Sequence, residues 1–433
     1  MNRLQRMIID QKNNKPSGVY SICSAHSYVL ESCMQNAVKS NGSLLIEATS
    51  NQVNQLGGYT GQRPLDFVKW IKQLSQKHGL NWENITLGGD HLGPTPWQNL
   101  PSTEALKRSE EIVYEYAATG FQKIHLDASM PLMGDEIKSF DKATIAKRTS
   151  RLALAAEKAI KDHEIPQLPY YVIGSDVPIA GGMQEGEEIV SVSSEHDVEE
   201  TMAETKKAFL QAGLTDAWER VIAIVVRSGV EFGDQTVFPY QSEKTRELSN
   251  FIQKQPQMIY EAHSTDYQTT DDLKQMVKDH FAILKVGPAL TFAFREAVFS
   301  LAFIEHELNQ IGRISQPSKL VEVLDNEMQA DPSFWIKYYR GNENELKFAR
   351  RFSLSDRSRY YWKKPKVKNA LELLLDNLSQ QEIPCSLLSQ YFPGQDEIVK
   401  SERKYELPKF LIINNINNVI KKYSFACGEG VAI

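Results

Sequence analysis

Cysteine is scarce in this chain: 433 residues carry Cys23, Cys33, Cys385 and Cys427 and no others. Their scatter excludes a disulfide framework and a paired-cysteine metal knuckle, so they read as free thiols of a reducing compartment. Long apolar runs are missing as well. None approaches the roughly 18 residues of a membrane span, and Met1-Asn2-Arg3-Leu4-Gln5-Arg6 leads into no hydrophobic signal region. A cytoplasmic, soluble protein with no membrane partner is expected. No long basic run occurs and the net charge is −6, which argues against nucleic acid as the main partner, because phosphate backbones select clustered Lys and Arg. Gly-Lys-Ser/Thr occurs nowhere, so the glycine-rich Gly57-Gly58-Tyr59-Thr60-Gly61 is no Walker loop, and neither a nucleotide cofactor nor a kinase is supported.

What is present is a steady beat of β-branched runs. They are Val19–Ile22, Leu44–Glu47, Ile85–Leu87, Lys123–Asp127, Tyr170–Ile173, Val221–Val226, Met258–Glu261 and Ile283–Val286. Segments with helical spacing lie between them, such as Leu65–Leu74 and the Ala- and Leu-rich Ala143–Ile160. Eight strand-helix units over about 290 residues predict an α/β fold, a TIM (β/α)8 barrel. A doubly wound sheet competes, but it usually has fewer strands and a Gly-rich phosphate turn after the first one, which this chain lacks. The beat stops near Gly312. Residues 1–312 are therefore assigned to the barrel and 313–433 to a mainly helical C-terminal extension packed on it. The aromatic Tyr338-Tyr339-Arg340 and Tyr360-Tyr361-Trp362 read there as a lid, a core or an interface, the last consistent with a homo-oligomer.

Each run ends in a burst of polar or small residues, and barrel strands open their C-terminal ends onto one mouth. The richest burst is Gly88-Gly89-Asp90-His91-Leu92-Gly93-Pro94, in which glycines and a proline are expected to turn the chain sharply. Its Asp and His suit metal-assisted proton transfer, one group binding a cation and its neighbour moving a proton. His91 and His263, each with a carboxylate nearby, are candidate ligands of a divalent metal such as zinc. Glu231, framed by Gly229 and Gly233, completes the set, and the three are expected to converge on one cation with Asp90 as proton carrier. His125 alternates with Ile124 and Leu126, and so points inward with Lys123 and Asp127. Asp127 and Asp176 are further catalytic candidates at strand ends, and Glu47, Asn51 and Lys285 are candidates for substrate binding. Ser264, Thr265 and Gly287 stand where the last barrel loops often bind phosphate, next to a helix expected near Thr291.

Several blocks together resemble a known family. They include Leu45–Gln55, Gly57–Gly61, Gly88–Pro94, Lys123–Met130, Gly229–Phe232, Glu261–Thr269, His280–Ala293 and Ser389–Tyr391. The chain resembles the Z subunits of tagatose-1,6-bisphosphate aldolase, the GatZ/KbaZ proteins of galactitol and N-acetylgalactosamine breakdown, nearly end to end. The resemblance implies a barrel related to class II aldolases and a catalytic Y-subunit partner whose activity and stability the Z subunit supports. The small-molecule ligand it implies is a phosphorylated ketohexose. Related proteins imply an alternative, a metal-dependent 4-epimerase of a ketohexose or its 6-phosphate. Against catalytic class II aldolases, Asp90 and His91 match the proton-transferring Asp and a metal-binding His, and His263 matches the last metal His. No histidine stands near Arg227–Glu231, where the middle one belongs, and Asp176 replaces a residue that is commonly Glu.

Overall fold

The structure is a computed structural model that describes residues 3–136, 140–178, 190–394 and 406–429. Eight parallel strands close into a barrel: β1 (Val19–Ile22), β2 (Leu44–Thr49), β3 (Ile85–Leu92), β4 (Lys123–Leu126), β5 (Tyr170–Ile173), β6 (Val221–Val225), β9 (Ile259–Ala262) and β10 (Phe281–Val286). Each pairs with its chain neighbour, and β1 closes on β10 with Ser21 opposite Lys285. The short strands β7 (Glu231–Phe232) and β8 (Val237–Phe238) form an antiparallel hairpin in the long connection after β6. Among the described residues no helix is long and apolar enough to cross a membrane.

Local chemistry sets the outer helices. Pro64–His78 opens with proline in its first turn, where the missing N–H costs nothing, and ends at Gly79 in the left-handed region at φ 72°. The helix Lys142–Asp162 is capped by Asp141, whose carboxylate accepts from the Thr144 N–H at 2.8 Å.

Inside the barrel the period of two along each strand sorts the side chains into layers. At the N-terminal end Val19, Leu45, Val172, Ala223, Ile259 and Ile283 form an apolar plug. Leu4, Met7 and Ile8 of the helix Arg3–Lys12 pack onto that plug and seal the end. Toward the other end the same inward positions turn ionic: Glu47, Lys123, Glu261 and Lys285 are all buried.

Beyond Gly312 the chain is helical, with Leu320–Ala330, Glu343–Phe352, Pro365–Ser379 and Leu407–Ala426 the longer elements. The last helix packs among Ser27–Ser40, Thr270–Lys278 and Pro288–Gln310. One continuous apolar cluster therefore includes both barrel residues and Trp362, Leu374, Leu411 and Ile420.

β3 departs from the sequence reading. It runs on to Leu92 instead of ending at Leu87, and its glycines serve close approach, not a turn. A Cβ on Gly88 would lie 2.6 Å from the Glu47 Cγ, on Gly89 2.5 Å from a Leu92 methyl, and on Gly93 1.8 Å from the Asp127 carbonyl oxygen. The sharp feature is His91 itself, at φ 47°. The β3–β4 register shifts between Gly89 and Leu92. Adjacent strand residues normally face opposite ways; this left-handed residue, which costs about 1–2 kcal/mol, lets Asp90 and His91 face the mouth together.

Candidate functional site

Five strands build a buried charged layer. Lys123 Nζ from β4 lies 2.8 Å from Glu47 and 2.6 Å from Glu261, and all three side chains are shut off from solvent. Above them Lys285 of β10 pairs with Glu47, lies 2.9 Å from Asp90 and reaches Glu261 at 3.7 Å. His125 Nδ1 stands 3.0 Å from Asp90 Oδ1, His263 Nε2 3.0 Å from Glu261 Oε1, and His91 Nδ1 2.7 Å from Asp127 Oδ2. The His91 and His263 rings meet edge to face with centroids 4.8 Å apart.

Burial alone would raise the Asp90, Asp127 and Glu261 carboxyls, yet the cations win. Asp90 is held well below the usual carboxylate range by His91 and Lys285, and Glu261 by Lys123 and Lys285. The Asp127 carboxyl is likewise lowered, against its burial, by the His91 hydrogen bond. Burial pushes the His263 imidazole down to about 4, which keeps it neutral and able to act as a ligand. Burial also opposes protonation of His91, but Asp90 and Asp127 outweigh it and raise its pKa.

Donor chemistry fits a divalent cation here. Ligand atoms of Asp90, His125, Glu261 and His263 all lie within 4.8 Å of one another, and two imidazoles with two carboxylates are a familiar set for zinc and related ions. His125 Nε2 is buried without a hydrogen-bond partner, an arrangement that costs free energy unless something binds there. Cys23, Glu47 and Asp90 form a second, overlapping set.

The expected site residues divide. Asp90, His91, Asp127, Glu47, Lys285 and His263 come together as described. His91 and Glu231 lie outside the four-residue ligand set, and His125 and Glu261 stand inside it. Glu231 sits on the β7–β8 hairpin and not at a barrel strand end, its carboxylate accepting from the Phe232 N–H at 3.1 Å. Asp176 is drawn away from the mouth, 2.7 Å from both Arg227 and the Ser193 hydroxyl. Asn51, Ser264 and Gly287 line the mouth cavity. Thr265 faces the last helix instead, donating to the Lys285 carbonyl at 2.6 Å and lying 3.1 Å from the Tyr423 hydroxyl. The helix N-terminus expected near Thr291 begins at Pro288. Its amides are already capped: Asp266 accepts from the Gly287 and Ala289 N–H groups at 3.0 and 2.8 Å.

Sequence reasoning undervalued His125 because a histidine inside a strand looks like core. Its alternation with Ile124 was the usable signal. It missed Arg359 and Lys363, which line the same cavity beside Tyr360, read there as lid, core or interface, from a segment more than 70 residues beyond the last barrel strand, where no strand-end rule points.

Fold and mouth define a (β/α)8-barrel protein with a buried, cation-ready ionic layer at the C-terminal face of its strands, where such barrels carry their sites. The chain belongs to the D-tagatose-1,6-bisphosphate aldolase subunit GatZ/KbaZ-like family, whose model matches residues 4–428. The D-tagatose-1,6-bisphosphate aldolase subunit GatZ of Salmonella dublin is 44% identical over 99% of this chain and 100% of that protein, and the protein of the same name from Salmonella gallinarum matches equally. Among solved structures, a probable tagatose 6 phosphate kinase from Sinorhizobium meliloti 1021 superposes with TM-score 0.84 at 39% identity, covering 95% of this chain and all of that one.

Proposed function

We propose that this chain is the accessory subunit of a class II D-tagatose-1,6-bisphosphate aldolase, which supports the activity and stability of a catalytic Y subunit. The observation that carries the reading is the full-length relationship: proteins named as that subunit match 99% of this chain with nothing left over on their side. The direct test is to co-purify the chain with its cognate Y subunit and measure bisphosphate cleavage with and without it. A stable complex with higher activity is expected; no complex and no change in activity would sink the reading.

The mouth favours a second reading beside the first, a metal-dependent 4-epimerase of a ketohexose or ketohexose 6-phosphate. Its support is the intact donor set with the unpartnered His125 Nε2. Asp90, His125, Glu261 and His263 would hold a divalent ion, zinc by ligand type, with His91 and Glu231 outside that set. Such an ion supplies Lewis-acid polarisation of a sugar carbonyl. Lys123 and Lys285 keep Glu47 and Glu261 in place. Asp90, expected from the sequence as the proton carrier, stands in the ligand set instead, between His125 and Lys285. Incubating the metal-loaded chain alone with tagatose 6-phosphate and assaying fructose 6-phosphate tests this; absence of turnover with Zn, Mn, Co and Ni would leave only the accessory role.

A further inference from the structure

The mouth cavity has an ionic contrast that the barrel itself does not supply. On its floor Lys285 is neutralised by three carboxylates. On its outer side two cations of the C-terminal region, Arg359 and Lys363, line the same cavity. Among the described residues neither makes an ion pair with a carboxylate. Arg359 donates to the Ser355 and Asp356 carbonyls and, at 3.0 Å, to the Tyr360 hydroxyl; Lys363 donates to the Thr60 carbonyl at 3.4 Å and lies 6.0 Å over the Trp70 ring. The two nearest acids are turned elsewhere. Asp356 accepts from the Thr291 and Ser358 hydroxyls and pairs with Arg295 at 3.3 Å, and Asp266 caps the helix amides.

The segment carrying these cations is fixed to the barrel. Tyr360 packs edge to face on Tyr59 of the β2 loop at 4.6 Å and stacks on Phe334 at 4.6 Å. Tyr267, after β9, donates to the Leu354 carbonyl at 2.5 Å. The Tyr360 hydroxyl is held below its ordinary pKa by Arg359 and Arg357 despite its burial, a sign of local positive potential. The cavity between this segment and the ionic layer has a volume of about 120 Å3, against the roughly 10–15 Å3 one ordered water needs. That is room for a small molecule and not only for a single water.

We infer that Arg359 and Lys363 form the phosphate-binding end of this site, gripping the phosphate monoester of a phosphorylated ketohexose whose polyol end faces Asp90 and His263. The inference rests on the sugar-phosphate ligand class of the proposed function and adds the residues that read it. Charge matching selects a phosphate: two cations without an ion-pair partner among the described residues match a dianion, whereas a carboxylate would engage only one of them. Arg359 supplies a permanent charge and the guanidinium N–H groups its backbone and Tyr360 contacts leave over, and Lys363 the point charge that phosphates take. The helix amides expected to do this work are occupied by Asp266.

Isothermal titration of the full-length chain with tagatose 6-phosphate, tagatose, tagaturonate and inorganic phosphate tests the assignment. The wild type should bind tagatose 6-phosphate at least tenfold more tightly than tagatose. Arg359→Gln should erase that difference while leaving tagatose affinity unchanged, and Lys363→Gln, at an exposed position that tolerates substitution, should reduce it severalfold. Equal affinity for the sugar and its phosphate in the wild type, or a preference for the phosphate that survives both substitutions, would overturn the inference. Arg359-dependent preference for tagaturonate would overturn the choice of phosphate. Complex formation with the Y subunit, measured on the same variants, reports separately on the accessory role and should be unaltered.

Discussion

Lys123 is the most demanding point of the interior, and replacing it by methionine gives a measurable test. Its ammonium group sits between Glu47 at 2.8 Å and Glu261 at 2.6 Å, with no solvent access for any of the three. Methionine keeps the length and apolar stem of the side chain, so the loss is almost purely of charge. Removing one partner of a buried pair costs about 3–5 kcal/mol, because the remaining charge stays desolvated. With an m-value near 3 kcal/mol/M, that amounts to a urea midpoint lowered by about 1–1.7 M, readable by tryptophan fluorescence. The deficit should also depend on pH in a definite sense. In the wild type the Glu261 carboxyl is depressed by Lys123 and Lys285 against its burial. It contributes stability above its unfolded pKa of about 4.3, which is lost as pH falls through the lower folded value. Without Lys123 that depression weakens and the folded value rises, so Glu261 takes up a proton more readily. The Lys123→Met penalty should therefore be full above the unfolded pKa of about 4.3 and shrink as pH falls below it. Adding Glu47→Gln to Lys123→Met should recover part of it at neutral pH. A penalty below about 1 kcal/mol at pH 7 that does not change below about pH 4.3 would show that the layer is hydrated and refute the electrostatic argument.

Three further outcomes are expected. His263→Ala should abolish stoichiometric zinc uptake, measured by elemental analysis after dialysis, while the circular dichroism spectrum and binding to the Y subunit stay unchanged; full retention of zinc would remove His263 from the ligand set. Gly93→Ala should fail to accumulate as folded protein or lose more than about 3 kcal/mol, the scale of severe core disruption, because its Cβ would meet the Asp127 carbonyl at 1.8 Å; near-wild-type thermal stability would show that β3 and β4 part easily. In metal-free protein, His91 has a raised pKa from Asp90 and Asp127. Its stabilising contribution should be complete below the unfolded value of about 6.5 and fade as pH rises through the folded one. His91→Gln should remove that decline from the stability profile, and an unchanged profile would count against the His91–Asp127 pair.

Much of the architecture was legible because strand periodicity and strand-end polarity are local. Val19, Leu45, Ile259 and Ile283 on one side of their strands, with Glu47, Glu261 and Lys285 further along the same side, already describe a barrel interior that changes from apolar to ionic. The glycines of Gly88–Pro94 were legible as special and misread in kind. A glycine required by a neighbouring strand looks the same in sequence as one required by a turn, and only the Glu47, Tyr116 and Asp127 atoms around them tell the two apart. Glu231 failed as a barrel strand-end residue for a related reason: the hairpin β7–β8 inserts into a connection whose two-residue strands are too short to leave a periodic signature.

The sequence by itself determined the eight-strand beat, the inward set of Lys123, His125 and Asp127, and the family, since these depend on residue order and on spacing along single elements. Only the tertiary structure decided which charges neutralise which. It placed Lys285 among three carboxylates, sent Asp176 to Arg227, closed the Gly287 and Ala289 amides with Asp266, and brought Arg359 to the mouth from beyond the barrel. Those outcomes depend on distances between residues far apart in the chain, and the pairing energy of a charge is set by such distances and by burial, neither of which is encoded in any local window.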